Sequence, residues 1–151
     1  MKITICAIGR LKAGPERNLW ERYCNRLRWP VKIIELEERK KVSAPELKRL
    51  EGILLTNAIP AGALVVALDE RGKSYSSGDF ANQLSSWNAM GRGLTFLIGG
   101  PNGIEQSTLD KANLMMSFGA ATWPHMLARI LLIEQLYRAE QILAGNPYHR
   151  D

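Results

Sequence analysis

Leu94-Thr95-Phe96-Leu97-Ile98-Gly99-Gly100-Pro101-Asn102-Gly103 is the stretch that decides the fold. A short apolar run stopped by a glycine-rich turn predicts a strand covered on both faces, as in a parallel sheet. Similar runs occur at residues 2–8 and 63–68. Residues 31–37 alternate more strictly, which places that strand nearer a sheet edge, and a fifth candidate strand lies at 114–118. Helical periodicity fills the gaps at about 15–28, 45–57, 78–90, 104–112 and 125–144. Pro15 suits a first helical turn, and Leu19, Tyr23 and Leu27 then share one face while Arg22 and Arg26 share another. Ser43 is a fitting N-cap for the second helix, and Ser77-Gly78-Asp79 opens the third. Strand and helix alternate throughout, with no linker or repeat. The expectation is one α/β domain over residues 1–151, with a mostly parallel sheet and helices on both faces.

Composition narrows the class. Apolar residues make up 46% and charged residues 23% of the 151, ordinary for a globular chain. No stretch approaches the ~20 apolar residues of a membrane span. The N-terminal run is too short for a secretory leader and reads as a buried strand. Cys6 and Cys24 match no metal or redox spacing and read as reduced, packed thiols, which favours a cytoplasmic protein. Charge is asymmetric: residues 1–50 carry 13 Lys and Arg against 6 Asp and Glu, and the rest carry 7 against 9. A basic half suggests an anionic partner, nucleic acid first, although a solvated mixed-charge surface has the same composition.

The last helix is apolar nearly all round, with Ile130, Leu131, Leu132 and Ile133 covering every side. Such a helix must be buried all round. A chain of this size rarely covers a terminal helix on both sides, so a homodimer through this helix is expected. Arg129, Glu134, Gln135 and Arg138 on it need partners, across an interface or in a site.

In open parallel sheets, ligands bind beyond the carboxyl ends of the strands. Three loops fall there: Leu68 to Gly72, Gly99 to Gly103, and Gly119 to Pro124. A Rossmann fingerprint and a Walker loop are both missing. His125 opens the last helix, where a neutral ring is favoured, and an ordinary packing role fits it as well. His149 lies in the tail Asn146-Pro147-Tyr148-His149-Arg150, a segment that matters only if it folds over a site, its own or a neighbour's.

Four ordered strings go further: Leu97 to Gly103, Thr122-Trp123-Pro124-His125, Glu134-Gln135-Leu136-Tyr137-Arg138-Ala139, and Asn146 to Arg150. Together they resemble, over the full length, the RlmH (YbeA) family of bacterial 23S rRNA pseudouridine methyltransferases, small members of the SPOUT class. The resemblance implies a C-terminal part threaded as a trefoil knot, a homodimer, and S-adenosylmethionine as cofactor with no metal. It implies methylation at N3 of a pseudouridine (position 1915 type) in 23S rRNA of the assembled ribosome. Carried over, the cofactor residues are Leu68, Gly100, Gly119, Ala120, Ala121, Thr122, Trp123 and Pro124. This chain departs from the family at Gly119, where a serine is usual, and at Trp123, where a smaller apolar residue is usual.

The sulfonium methyl is already activated, so the protein mainly aligns the reactants. The N3 proton needs a base or an anion-stabilising cation. His149 is the candidate base, Tyr148 orients or stacks on the nucleobase, Arg138 and Arg150 stabilise charge or hold phosphate, and Glu134 orients Arg138. Arg10, Lys12, Arg22, Arg26 and Arg28 are the candidate RNA contacts. The alternatives are a SPOUT methyltransferase for another rRNA or tRNA site, and a ribosome-binding module that kept the fold without catalysis.

Overall fold

The computed structural model describes residues 1–150. Five strands form one parallel sheet: β1 (Ile3–Ile8), β2 (Val31–Leu36), β3 (Leu64–Ser74), β4 (Leu94–Ile98) and β5 (Leu114–Ser117), in the order β2-β1-β4-β3-β5. All of β1 and β4 is buried, as is the start of β3, whereas β2 at the sheet edge is only half-buried. The apolar runs therefore occupy the centre of the sheet and the alternating run its edge, as their patterns predict.

Five helices cover the two faces: α1 (Pro15–Cys24), α2 (Ala44–Ala58), α3 (Ser77–Ala89), α4 (Gln106–Leu109) and α5 (His125–Leu143). On one face Trp20 of α1, Phe80 and Leu84 of α3, and Ile130, Ile133 and Leu136 of α5 close the larger core over Ile3, Ile5 and Phe96. On the other, Leu55 of α2 and Leu109 of α4 cover Cys6, Val65 and Leu97. Fully burying side chains of this size contributes roughly 1.5–3 kcal/mol each. The helix starts are chemically fixed. Ser43 Oγ accepts from the Glu46 N–H at 3.4 Å, and Ser76 Oγ accepts from the Asp79 N–H at 3.1 Å.

Four expectations need correction. The third helix is capped by Ser76, one residue before the predicted opening, and Ser77 is already its first helical residue. The first helix stops at Cys24, so Arg26 leaves the helical face it was to share with Arg22 and sits in the following turn, its guanidinium 5.7 Å from the Tyr137 ring centre. The fourth helix is one turn, not nine residues. The last is covered largely from within the chain: α5 lies on the sheet between α1 and α3. Its polar residues are paired there too. Arg129 meets Glu35, Glu134 meets Arg138, and Gln135 meets Ser77 and Glu134. All-round apolarity thus reflects one sheet and two flanking helices. What remains outward is a narrower stripe with Leu127 and Leu143 exposed and Leu131 half-exposed.

The third strand also runs past its predicted end. Leu68 and Lys73 are both in register with Met116 of β5. A strand residue has two edges, so two in-register partners place β3 on both sides of β5, with residues 69–72 stepping across between them. Gly72 makes the crossing: a Cβ there would stand 2.5 Å from Met116 N and 2.6 Å from Met115 C.

Candidate functional site

The carboxyl ends of β3, β4 and β5 converge on a cavity of about 500 Å³. Its apolar floor is Leu68, Ile98, Ile104, Met116 and Phe118. Its rim is the turn Gly99 to Gly103 together with Ser117, Gly119, Ala121, Thr122 and Trp123. Asp69, Glu70, Arg71 and Lys48 form a charged side, and His125 and Ala128 close the wall from the first turn of α5. The volume is that of a small-molecule pocket, apolar below with a few polar groups above.

The glycine turn is tight. The Gly103 N–H donates to Gly100 O at 3.0 Å, and a Cβ on Gly99 would lie 2.8 Å from both Gly103 C and Ile104 Cγ1. Gly100 rests on Glu51 of α2, whose Oε1 and Oε2 would be 3.3 and 3.1 Å from a Cβ there. Glu51 is buried with no partner on Oε2, and burial, reinforced by Glu38, pushes its carboxyl above the usual range. No sequence pattern pointed to Glu51; only the fold brings it under the turn.

The opposite loop is built around Ser117. Its Oγ accepts from the Gly119 N–H at 3.0 Å and donates to Gly119 O at 2.7 Å. Gly119 has φ +104°, so a serine there would be strained whatever its hydroxyl offered. Trp123 folds back and donates its indole N–H to Phe118 O at 3.3 Å, while Thr122 Oγ1 donates to Glu70 Oε2 at 3.1 Å. Six of the eight predicted cofactor residues line the cavity; Ala120 and Pro124 belong to the same loop but are not on its wall. Asp69 is held ionised, below the usual range, by hydrogen bonds from Arg71. His125 is held neutral by burial and by the charge of Arg129.

The predicted reaction residues gather elsewhere. Glu134 Oε1 accepts from Arg138 Nη2 at 2.6 Å and Nε at 3.0 Å, and from the Tyr148 hydroxyl at 3.1 Å. Arg138 Nη1 lies 3.3 Å from His149 Nδ1. The Tyr148 ring stands edge-on to Tyr137 at 4.7 Å, with the Arg138 guanidinium 4.9 Å from its centre. Burial, with Tyr23 and Glu134 nearby, raises the Tyr148 phenol far above its ordinary value, so it stays protonated. Tyr23 and Tyr137, 6.0 Å apart, complete this seat, and nothing in the sequence pattern marks either for that role. The tail is docked, and Arg150 is exposed at its end. The two centres are separate within one chain: Arg138 is thirteen residues beyond His125, about 20 Å along a helix. The basic candidates Arg10, Lys12, Arg22, Arg26 and Arg28 are all exposed, Arg26 with its guanidinium against the Tyr137 ring.

A parallel sheet with a cavity at three crowded strand ends, where one strand steps across another, limits the possible families. The model described as "Predicted SPOUT methyltransferase" matches residues 1–149. The chain belongs to the SPOUT methyltransferases. Within them it is 49% identical to ribosomal RNA large subunit methyltransferase H of Rhodospirillum centenum over 151 residues, covering 99% of each chain. It is 48% identical to the enzyme of the same name from Paramagnetospirillum magneticum, again over 99% of each. This places it in the methyltransferase H family, as its four motifs imply, and it is a methyltransferase. Among solved structures, a probable methylase family protein from Haemophilus influenzae Rd KW20 superposes with a TM-score of 0.60 at 12% identity, over 99% of this chain and 70% of that one. That likeness speaks to the fold alone. Among the described residues no helix is long and apolar enough to cross a membrane, and no group of three His, Cys, Asp or Glu is placed to hold a metal.

Proposed function

We propose that this SPOUT methyltransferase transfers the methyl group of S-adenosylmethionine to N3 of a pseudouridine in 23S rRNA of the assembled ribosome. The observation that carries the reading is the pairing of two features: a glycine-rimmed cavity over an apolar floor, and a Glu134–Arg138–Tyr148–His149 cluster on the docked tail. The names of its relatives supply the substrate class.

The cavity suits the cofactor. Leu68, Ile98, Ile104 and Met116 offer a flat apolar bed, and Gly100, Gly103 and Gly119 keep side chains away from the rim, so backbone groups can reach a purine and a ribose. Bound there, S-adenosylmethionine supplies an activated methyl group. Neutral His125 adds no positive charge against a sulfonium. We read the step of residues 69–72 across β5 as part of the trefoil threading that its class implies.

The reacting nitrogen must lose a proton. His149 takes it on Nδ1, the ring nitrogen whose lone pair faces the Arg138 guanidinium, and becomes an imidazolium. Arg138, held by Glu134, stabilises the negative charge that develops on the ring. Tyr148, always protonated, anchors the tail on Glu134 and presents its ring. The spacing of about 20 Å along α5 keeps a chain's own tail from its own cavity. A second copy, joined through the Leu127, Leu131 and Leu143 stripe of α5, brings the tail of one chain to the cavity of the other. Phosphates lie along Arg10, Lys12, Arg22 and Arg28, with Arg26 beside the tail seat.

The test is transfer of labelled methyl from S-adenosylmethionine to ribosomes that contain, or lack, large-subunit pseudouridines. Label confined to the first sample is the expected result. Label in both moves the target to another nucleotide. Cofactor binding with no label in either moves it to another RNA.

A further inference from the structure

Arg129 is a fully buried arginine on α5, one turn beyond His125. Its Nη1 donates to Glu35 Oε1 at 2.6 Å, and its Nη2 donates to Gly9 O at 3.2 Å and Ile8 O at 3.5 Å. The same Glu35 Oε1 accepts from the Leu11 N–H at 2.7 Å. The turn that leaves β1 is therefore gripped twice, by a guanidinium from α5 and by a carboxylate from β2. Packing closes the same contact: a Cβ on Gly9, at φ +90°, would stand 3.2 Å from Met126 Cε and 3.4 Å from His125 Nε2. Neither Arg129 nor Glu35 lines the cavity, yet His125 and Ala128 on the same helical turns do. Arg10 and Lys12, on the gripped turn, are exposed.

Burying a guanidinium is costly even against a partly exposed carboxylate such as Glu35, and apolar residues of similar volume often stabilise as well or better. The guanidinium offers something they do not: a planar fork that fixes two carbonyls and a carboxylate in one geometry. We propose that Arg129 and Glu35 are positioning residues that set the basic turn Gly9–Lys12 against the cofactor wall, so that RNA held by the turn meets the methyl donor in register. This rests on the function proposed above. Neither residue touches substrate or cofactor; both act through the turn. A displacement of about 1 Å in such a frame costs on the order of 100-fold in rate.

The test uses the full chain with Arg129→Lys, which keeps the charge and loses the fork, and the pair Glu35→Leu with Arg129→Met, which keeps volume without charge. S-adenosylhomocysteine is the calorimetric probe, hydrogen exchange reads the Leu11 amide, and methyl transfer to ribosomes gives kcat and KM. The expected result is probe stoichiometry intact with Kd within about two-fold, Leu11 exchange faster by at least ten-fold, and kcat down at least ten-fold with KM nearly unchanged. A folded double variant with wild-type kcat and a protected Leu11 amide overturns the proposal. So does a kcat loss that only follows a loss of probe-binding sites, which marks a structural role. A wild-type chain that binds the probe but methylates no RNA defeats the function reading instead, and Leu11 exchange in the variants then still decides whether the clamp exists.

Discussion

Gly72 rests directly on the backbone of Met116, at the point where β3 steps across β5. The crossing brings Asp69, Glu70 and Arg71 to the cavity side and joins β3 to the loop after β5 through the Glu70–Thr122 hydrogen bond. No side chain fits there, because the nearest atoms are main chain and cannot rotate aside. Gly72→Ala is predicted to destabilise by about 1–3 kcal/mol and to weaken cofactor binding in the fraction that folds. Thermal melting and calorimetry with S-adenosylhomocysteine check this, whereas Gly93→Ala, where no atom lies within 4 Å and φ is ordinary, should leave stability and cavity unaffected.

Tyr148 is held through its hydroxyl, which donates to Glu134 beside Tyr23, and through its ring, which meets Tyr137 and the Arg138 guanidinium, and the two can be separated. Tyr148→Phe removes the bond to Glu134 and keeps the edge-on contact with Tyr137, a loss of about 1 kcal/mol in tail docking. Methyl transfer should fall several-fold. Tyr148→Ala removes both and should fall further, with cofactor affinity unchanged. Equal activity in the two variants would show that the ring carries nothing.

Glu51 gives a pH signature. Its folded-state carboxyl titrates above the usual range because it is buried, so between the unfolded and folded values the native state holds more protons than the unfolded chain. Stability therefore falls as pH rises through that window. Glu51→Gln removes the dependence. The variant is predicted to melt higher than wild type at pH 8, with the gain vanishing below the ordinary glutamate value of about 4.3. Parallel melting curves over the whole range would contradict this.

The strands at the centre of the sheet were legible because residues covered on both faces must be apolar throughout, as at Ile3–Ile8 and Leu94–Ile98. The loops at their carboxyl ends followed from the sheet rule and from glycine. What was not legible depends on contacts distant in sequence. The continuation of β3 past Leu68 has polar residues, Asp69 to Ser74, and takes strand form only because β5 offers it a partner. The burial of α5 was legible, but not its cause, since periodicity shows that a face is covered and not by what. Arg129 on so apolar a helix needs a partner, and the partner is Glu35, 94 residues earlier. Glu51 carried no signal because a lone glutamate on a helix is ordinarily a solvated one.

The central claim is that the tail of one chain completes the cavity of another, and complementation tests it most directly. Ala121→Trp fills the cavity from an exposed loop position, and His149→Ala removes the proposed base from the tail; each alone should be inactive towards ribosomes. Mixed and allowed to exchange subunits, they form heterodimers in which one cavity and one tail are both intact. The account predicts recovery of about a quarter of wild-type turnover, from one working site in half of the dimers. No recovery, with heterodimers present and the cofactor bound, would contradict it and return the reaction to groups within a single chain.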